Sequence, residues 1–377
     1  MKKLLGLLAL TVAISGVASA DQDVLKDIKV VNEARVYSQD IDKNDTQSNQ
    51  IGNGGFKKEN LTGVKWRKLV TGTLALNDEL GLELKFSVRH DNHAERGVTG
   101  TSPTGKFEYG KSGIKEAWET NLELAKPVNI GALETNTVFG WTHSSGRTKL
   151  KELSKYAVAP SVKEGKYYTT GVSNVLYLGP TFGVSVLGQN ISTTLQAVYF
   201  ATNGGKSADY AYSGKDFQRG KTEGYGINAD FATDGKIFES EAGKLGYYVG
   251  LNHHLRDGGG KLVATGKEAK SSVYLDYVVG ATYTTPSLAG FYGQLNVENE
   301  WEKHTAKTGY TNNFSLWTNL GYKAGIETPV GEVSINPYLK YKPLHRESVY
   351  NKHEVNKKVT TEENEIRAGL GIGLSVK

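Results

Sequence analysis

The 377-residue chain contains no cysteine. Disulfides, thiolate nucleophiles and cysteine-held metal sites are therefore excluded, as is anchoring through a lipidated N-terminal cysteine. Charge of one sign is also missing: 45 Lys and Arg stand against 40 Asp and Glu. A formal charge of +5, or +3 once Lys2 and Lys3 are removed, is too mild to argue for nucleic acid. Beyond residue 20 no run reaches the ~18 consecutive apolar residues of a membrane helix. One methionine stands beside 45 glycines and 21 tyrosines, a balance foreign to helical domains but suited to an exported all-β protein.

The first twenty residues have a different character. Lys2 and Lys3 form a basic start, Leu4 to Val17 an apolar centre, and Ala18-Ser19-Ala20 a small-residue cleavage site. This pattern predicts a secretory signal peptide over 1–20 and a mature chain from Asp21. An uncleaved anchor is the alternative, but the apolar run is short for one.

The mature sequence is dominated by alternation. In "LGLELKFSVRH", Leu80, Leu82, Leu84, Phe86 and Val88 occupy every second position, and Glu83, Lys85 and Arg89 lie between them. A β-strand sends such residues to opposite faces. The pattern recurs at Leu133–Trp141, Tyr225–Phe231, Val273–Tyr283 and Ile366–Val376, among others. Fourteen strands are predicted, at 27–39, 62–76, 79–90, 114–125, 131–143, 166–178, 191–203, 222–233, 243–256, 271–285, 290–302, 313–326, 331–343 and 363–376. Twelve or sixteen are the alternatives. The stretch 179–192 reads either as a long turn or as the start of an extended seventh strand, and Pro337 within a strand predicts a bulge.

Connections alternate between short turns and long polar segments. "LNDEL", "KPVNIG", "TTPSLAG" and "ETPVGE" are short, whereas 40–60, 91–113, 144–165, 204–221, 257–270, 303–312 and 344–362 are long. That rhythm predicts an all-β fold: a transmembrane antiparallel up-and-down β-barrel over 21–377, with short periplasmic turns, long extracellular loops and both termini in the periplasm. Lipid covers the apolar parity, and the sheet closes because an open edge cannot survive in hydrocarbon. The charged parity then faces water inside, since a dry core would not hold Glu83, Lys85 and Arg89 unpaired. Trp66, Trp118, Trp141, Tyr199, Tyr283, Trp301, Tyr322 and Tyr341 fall on the lipid parity near strand ends, where aromatic rings favour the interface.

With its signal peptide, Gly/Tyr-rich alternation and terminal strand "IRAGLGIGLSVK", the chain resembles Gram-negative outer-membrane porins, in particular the FomA-like porins of fusobacteria. It departs from them at Val376-Lys377, where such barrels usually end in an aromatic residue read by the assembly machinery. The resemblance implies passive diffusion of small hydrophilic solutes and ions, a bacterial outer-membrane location and a homotrimer.

The predicted register puts Arg35, Arg67, Lys85, Arg89, Lys340, Lys342 and Arg367 on one wall of the lumen, because closure brings the last strands beside the first. Glu119, Glu123 and Glu134 occupy the next sector, and Asp230, Asp276 and Glu298 the far side. This arrangement predicts a transverse field with weak ion selectivity; local cross-strand ion pairs are the alternative use of the same charges. His90, His143, His254, His304 and His345 lie near loop-side strand ends, but no nucleophile accompanies them. "GGGK" at 258–261 lacks the strand–loop–helix setting of a phosphate loop. No catalytic or cofactor site is expected. "LKELSKYAVAP" at 150–160 can form a short helix that folds inward and narrows the pore. The expected function is a weakly selective porin whose partners are outer-membrane lipid, ions and small solutes, not nucleic acid. A solute-specific channel for acidic sugars and an adhesin or receptor barrel are the alternatives.

Overall fold

The computed structural model describes residues 25–44, 58–77, 79–101, 108–130, 133–154, 165–186, 189–203, 206–209, 215–218, 222–259, 272–304, 309–351 and 357–376. Residues 1–20 and 155–160, which carry the expected signal peptide and most of the expected inward helix, lie outside them. The strands are β1 (Leu25–Asn44), β2 (Lys58–Asn77), β3 (Leu82–Thr101), β4 (Glu108–Ile130), β5 (Leu133–Ser154), β6 (Gly165–Val186), β7 (Gln189–Asn203), β8 (Lys206–Asp209), β9 (Lys215–Gln218), β10 (Thr222–Ser240), β11 (Gly243–Gly259), β12 (Ser272–Thr284), β13 (Phe291–His304), β14 (Gly309–Tyr322), β15 (Ala324–Thr328), β16 (Gly331–Asn351) and β17 (Lys357–Val376).

Each strand pairs antiparallel with its neighbour, and β17 pairs with β1 from Lys29↔Ser375 to Asn44↔Thr360. The sheet therefore closes. β8 and β9 form a small hairpin that continues the wall beside Tyr167–Thr169 of β6, above the end of β7. β14 and β15 are two parts of one stave, both paired to β16. The barrel thus has fourteen staves, as the alternation predicts. The short gaps between strands fall at one end of the ladder, from Asn77 to Leu82, Ile130 to Leu133, Val186 to Gln189, Ser240 to Gly243, Thr284 to Phe291 and Thr328 to Gly331. At the first of these the backbone N–H of Leu80 donates to Asn77 Oδ1 at 3.0 Å, and Gly81 takes φ +60°. Asn and Gly suit such a turn because one bonds its own backbone and the other tolerates positive φ.

Parity divides the two faces. Val36, Trp66, Phe139, Leu178, Val279, Leu320, Ile366 and Ile372 are each between 45 and 60% exposed, which no soluble barrel of this size would present as a continuous band. On the other parity, tyrosines lie across a glycine of the next strand and reach the strand beyond. Tyr177 passes over Gly140 and its hydroxyl donates to Glu123 Oε1 at 2.6 Å. Tyr37 passes over Gly63 to His93, Tyr248 over Gly280 to Glu298, and Tyr338 over Gly369 to Glu33. At each glycine a Cβ would collide with the ring. Side chains that bridge two strands in this way converge on the concave side, so this parity is the interior.

The structure corrects several expectations. Strands run well past the predicted loop-side boundaries: β3 reaches Thr101, β4 starts at Glu108, β5 reaches Ser154 and β16 reaches Asn351. Apolar alternation stops where lipid stops, but backbone pairing continues through polar residues. Residues 150–154 are accordingly strand rather than helix. Residues 179–186 complete β6, and β7 starts only at Gln189. Pro337 produces no bulge; the register across it is unbroken, with Gly321↔Tyr338 before and Ala324↔Ile335 after. The stave opposite is interrupted instead, between Tyr322 and Ala324, where proline offers no N–H. The register shift lies further along β16, between Lys342 and His345, beside Pro343.

Candidate functional site

Apart from Glu134, whose side chain lies outside the described residues, the charged residues that the sequence singled out share the inner parity. From β16 round to β3 the basic residues are threaded with carboxylates. Asp91 on β3 is the centre of the largest group: Arg67 Nε donates to its Oδ1 at 2.8 Å and Arg67 Nη2 to Oδ2 at 3.1 Å. Lys65 Nζ lies 3.2 Å and Arg89 Nε 3.7 Å from the same Oδ2. Arg89 also reaches Glu119 at 2.9 Å. The fork of Arg67 against a carboxylate is the strong bidentate form of such a pair. Arg35 bonds Glu33 at 2.8 Å, and Glu33 also accepts from Tyr338. Arg367 lies 2.6 Å from Glu365, and Lys342 contacts Glu363 and, at 3.7 Å, Glu365.

Trp317 of β14 borders this wall beside β16. It pairs with Asn296 in register, so it is on the interior parity, unlike the other four tryptophans. Lys340 Nζ sits 4.2 Å from its ring centroid, Lys342 Nζ 4.8 Å and Arg367 Cζ 5.2 Å. The ring's negative face offsets repulsion among three cations. Lys340 and Arg367 are directly opposite in the ladder, a like-charge arrangement that needs such an offset.

The acidic sectors are different in kind. Glu123 accepts from Tyr177 and lies opposite Gly140, while Lys85 faces Glu123 in register without an ion pair between them. The side chain of Glu134 lies outside the described residues. Asp230 takes His254 Nε2 at 2.9 Å. Asp276 accepts from Asn252 at 3.1 Å, Glu298 from Tyr248, and Glu300 from Asn313 at 2.9 Å. Carboxylate oxygens of Asp276, Glu300 and Glu302 gather within 4.8 Å of one another. These carboxylates of β12 and β13 are held by amides and hydroxyls, whereas those of the opposite wall are held by cations.

Among the described residues the histidines do not assemble. His90 faces outward, stacked on Trp118 with ring centroids 4.0 Å apart and 3.3 Å from Glu116. His143 bonds Asn174 at 2.8 Å on the outer face, and His253 bonds Tyr277 there at 2.9 Å. His93 is inside, against Tyr37, and His345 lies inside on β16. The side chain of His304 is outside the described residues.

Two kinds of interior residue escaped the sequence reading. The predicted third strand ends at His90, one residue short of the ion-pair centre, so Asp91 and Glu95 fall in its predicted loop. The residues singled out for the lumen are the charged ones alone, and Trp317 is uncharged. Its neighbours Ser315 and Asn319, polar and of the same parity, were the available signal.

No family model matches the chain, and no curated protein matches it significantly. Its fold is similar to a FadL homologue from Pseudomonas aeruginosa, at 10% identity and TM-score 0.39 over 93% of this chain and 90% of that one. It is also similar to OprB from Pseudomonas putida, at 12% identity and TM-score 0.36 over 92% and 93% of the two chains. The translocator domain of autotransporter NalP from Neisseria meningitidis gives 8%, 0.36, 95% and 91%. Likeness this distant assigns no function; the barrel assignment rests on the chain's own closed ladder.

Proposed function

We propose that the chain forms a water-filled channel of the bacterial outer membrane, exported by a signal peptide at 1–20. It passes ions and small hydrophilic solutes by diffusion, with weak charge selectivity. One observation carries this reading: a closed antiparallel wall is apolar on its convex face and charged, amide-rich and hydroxyl-rich on its concave face. Charges such as Lys85, Glu83 and Asp276 on that inner face need water, and a bilayer is the medium that covers the outer one. The resemblance to FomA-like porins supports the same function and adds a homotrimer to the proposal.

The charge arrangement supports weak selectivity. Arg35, Arg67, Arg89, Lys342 and Arg367 each contact a carboxylate, so the basic wall presents less free charge than its composition suggests. This neutralisation argues against a continuous track for acidic sugars. It leaves a mild transverse field between the basic wall and the carboxylates of β12 and β13.

Liposome swelling tests the proposal. With purified protein in the vesicles, swelling rates in sugars are expected to fall steadily with solute size and to be equal for stereoisomers. Absence of swelling with the smallest sugars would overturn the channel reading. Strong preference for one stereoisomer would replace diffusion with specific transport.

A further inference from the structure

A cavity of about 360 Å³ opens on the inner wall between the middle of the barrel and its short-turn end. Tyr248, Thr282, Gln294, Asn296, Glu298, Trp317, Asn319 and Lys340 line it. The wall there is a firm one. Gln294 accepts from Asn319 Nδ2 at 3.1 Å, and Asn296 Nδ2 donates to the Thr282 hydroxyl at 2.9 Å, so each amide has a fixed partner. Tyr248 holds Glu298 across Gly280, and Trp317 holds Lys340.

Two opposite charges therefore line one cavity, each held in place by a neutral aromatic side chain. Neither makes an ion pair among the described residues, either with the other or with a third group. This sets Lys340 apart from its basic neighbours over the same ring, since Lys342 and Arg367 both have carboxylates. A guest carboxylate would meet uncompensated positive charge at Lys340. A guest ammonium would meet Glu298, whose other partner is a hydroxyl. A simple anion would satisfy one end and face repulsion at the other, and a simple cation likewise. A neutral sugar would offer hydroxyls but no charge to compensate either group.

We propose that this cavity is a subsite for small zwitterions, the class of free α-amino acids and very short peptides, in which Lys340 takes the carboxylate and Glu298 the ammonium. The proposal rests on the channel reading and adds to it a solute class that lingers in the lumen. Binding here is weak by design of the site: the cavity is open to water, and solute must leave as readily as it enters.

Planar-bilayer current through the full-length mature protein tests it, with L-alanine, propionate and ethylamine as matched probes. L-alanine is expected to reduce the ion current saturably; propionate and ethylamine at equal concentration are not. Lys340→Met and Glu298→Gln are each expected to weaken the L-alanine block about tenfold, the scale of one lost charged hydrogen bond, while open-channel current persists. The charge-exchanged double variant K340E/E298K is expected to recover the block in part. Equal block by propionate, or by glucose, would overturn the zwitterion assignment. So would an L-alanine block untouched by both single substitutions. A protein that carries no current at all would instead defeat the channel reading, which separates the two failures.

Discussion

Arginine in place of Val279 is expected to destabilise the folded barrel by about 2–4 kcal/mol, the cost of a cation on the lipid face near the bilayer midplane. Arginine in place of the adjacent Val278 is expected to leave folding in lipid intact. Val279 is 52% exposed on the convex face, midway along β12. Val278 is on the opposite parity, paired with Glu300 and two residue-pairs from Asp276 and Glu302 on the same face, so a new guanidinium there finds carboxylates and water. Urea unfolding of protein refolded in vesicles, followed by tryptophan fluorescence and heat-dependent gel mobility, measures both. Equal losses at the two positions would mean that the faces do not differ as described. Greater loss at Val278 would reverse them.

The second large effect belongs to Asp91. Replacing it with asparagine keeps its volume but removes the carboxylate shared by Lys65, Arg67 and Arg89. Arg89 keeps its ion pair with Glu119, and Arg67 keeps Glu33 opposite it on β1, but the carboxylate common to all three is lost. The lumen then gains uncompensated positive charge concentrated on β2 and β3. A several-fold rise in anion-over-cation permeability is expected, read as a shift in reversal potential under a salt gradient. Stability is expected to fall as well, by at most about 3 kcal/mol, because breaking a buried pair strands its partners. The Arg67 and Arg89 side chains are 32 and 37% exposed, which moderates that loss. An unchanged reversal potential in Asp91→Asn would place this cluster off the ion path.

Much of the architecture was legible because a strand's period is two. In "LGLELKFSVRH" a one-residue error would exchange the faces, so the alternation determines both the sheet and its inside. Stave number followed from turns such as Asn77–Gly81, whose chemistry is local. What the sequence left obscure depended on partners remote in the chain. The extension of β3 and β4 toward Thr101 and Glu108 rests on backbone pairing between polar segments, which leaves no hydrophobic period. Pro337 and Pro343 look alike in sequence. Only the ladder shows that the first interrupts the stave opposite it and the second accompanies the register shift. The basic wall was visible as composition and parity, and cross-strand ion pairs as the alternative use of its charges; the particular carboxylates, Asp91, Glu363 and Glu365, were not among the residues that the sequence singled out. Trp317 shows the same limit. Its inward face has a purpose only once Lys340, Lys342 and Arg367 are brought around it.

The central claim is a sheet closed in a bilayer around a wet interior, and single-channel recording reaches it most directly. Purified protein added to a planar lipid bilayer is expected to give discrete, lasting conductance steps that rise in proportion to salt concentration, with a reversal potential close to zero in a salt gradient. Protein that inserts in folded form, shown by heat-dependent gel mobility, yet leaves the membrane insulating would contradict the account.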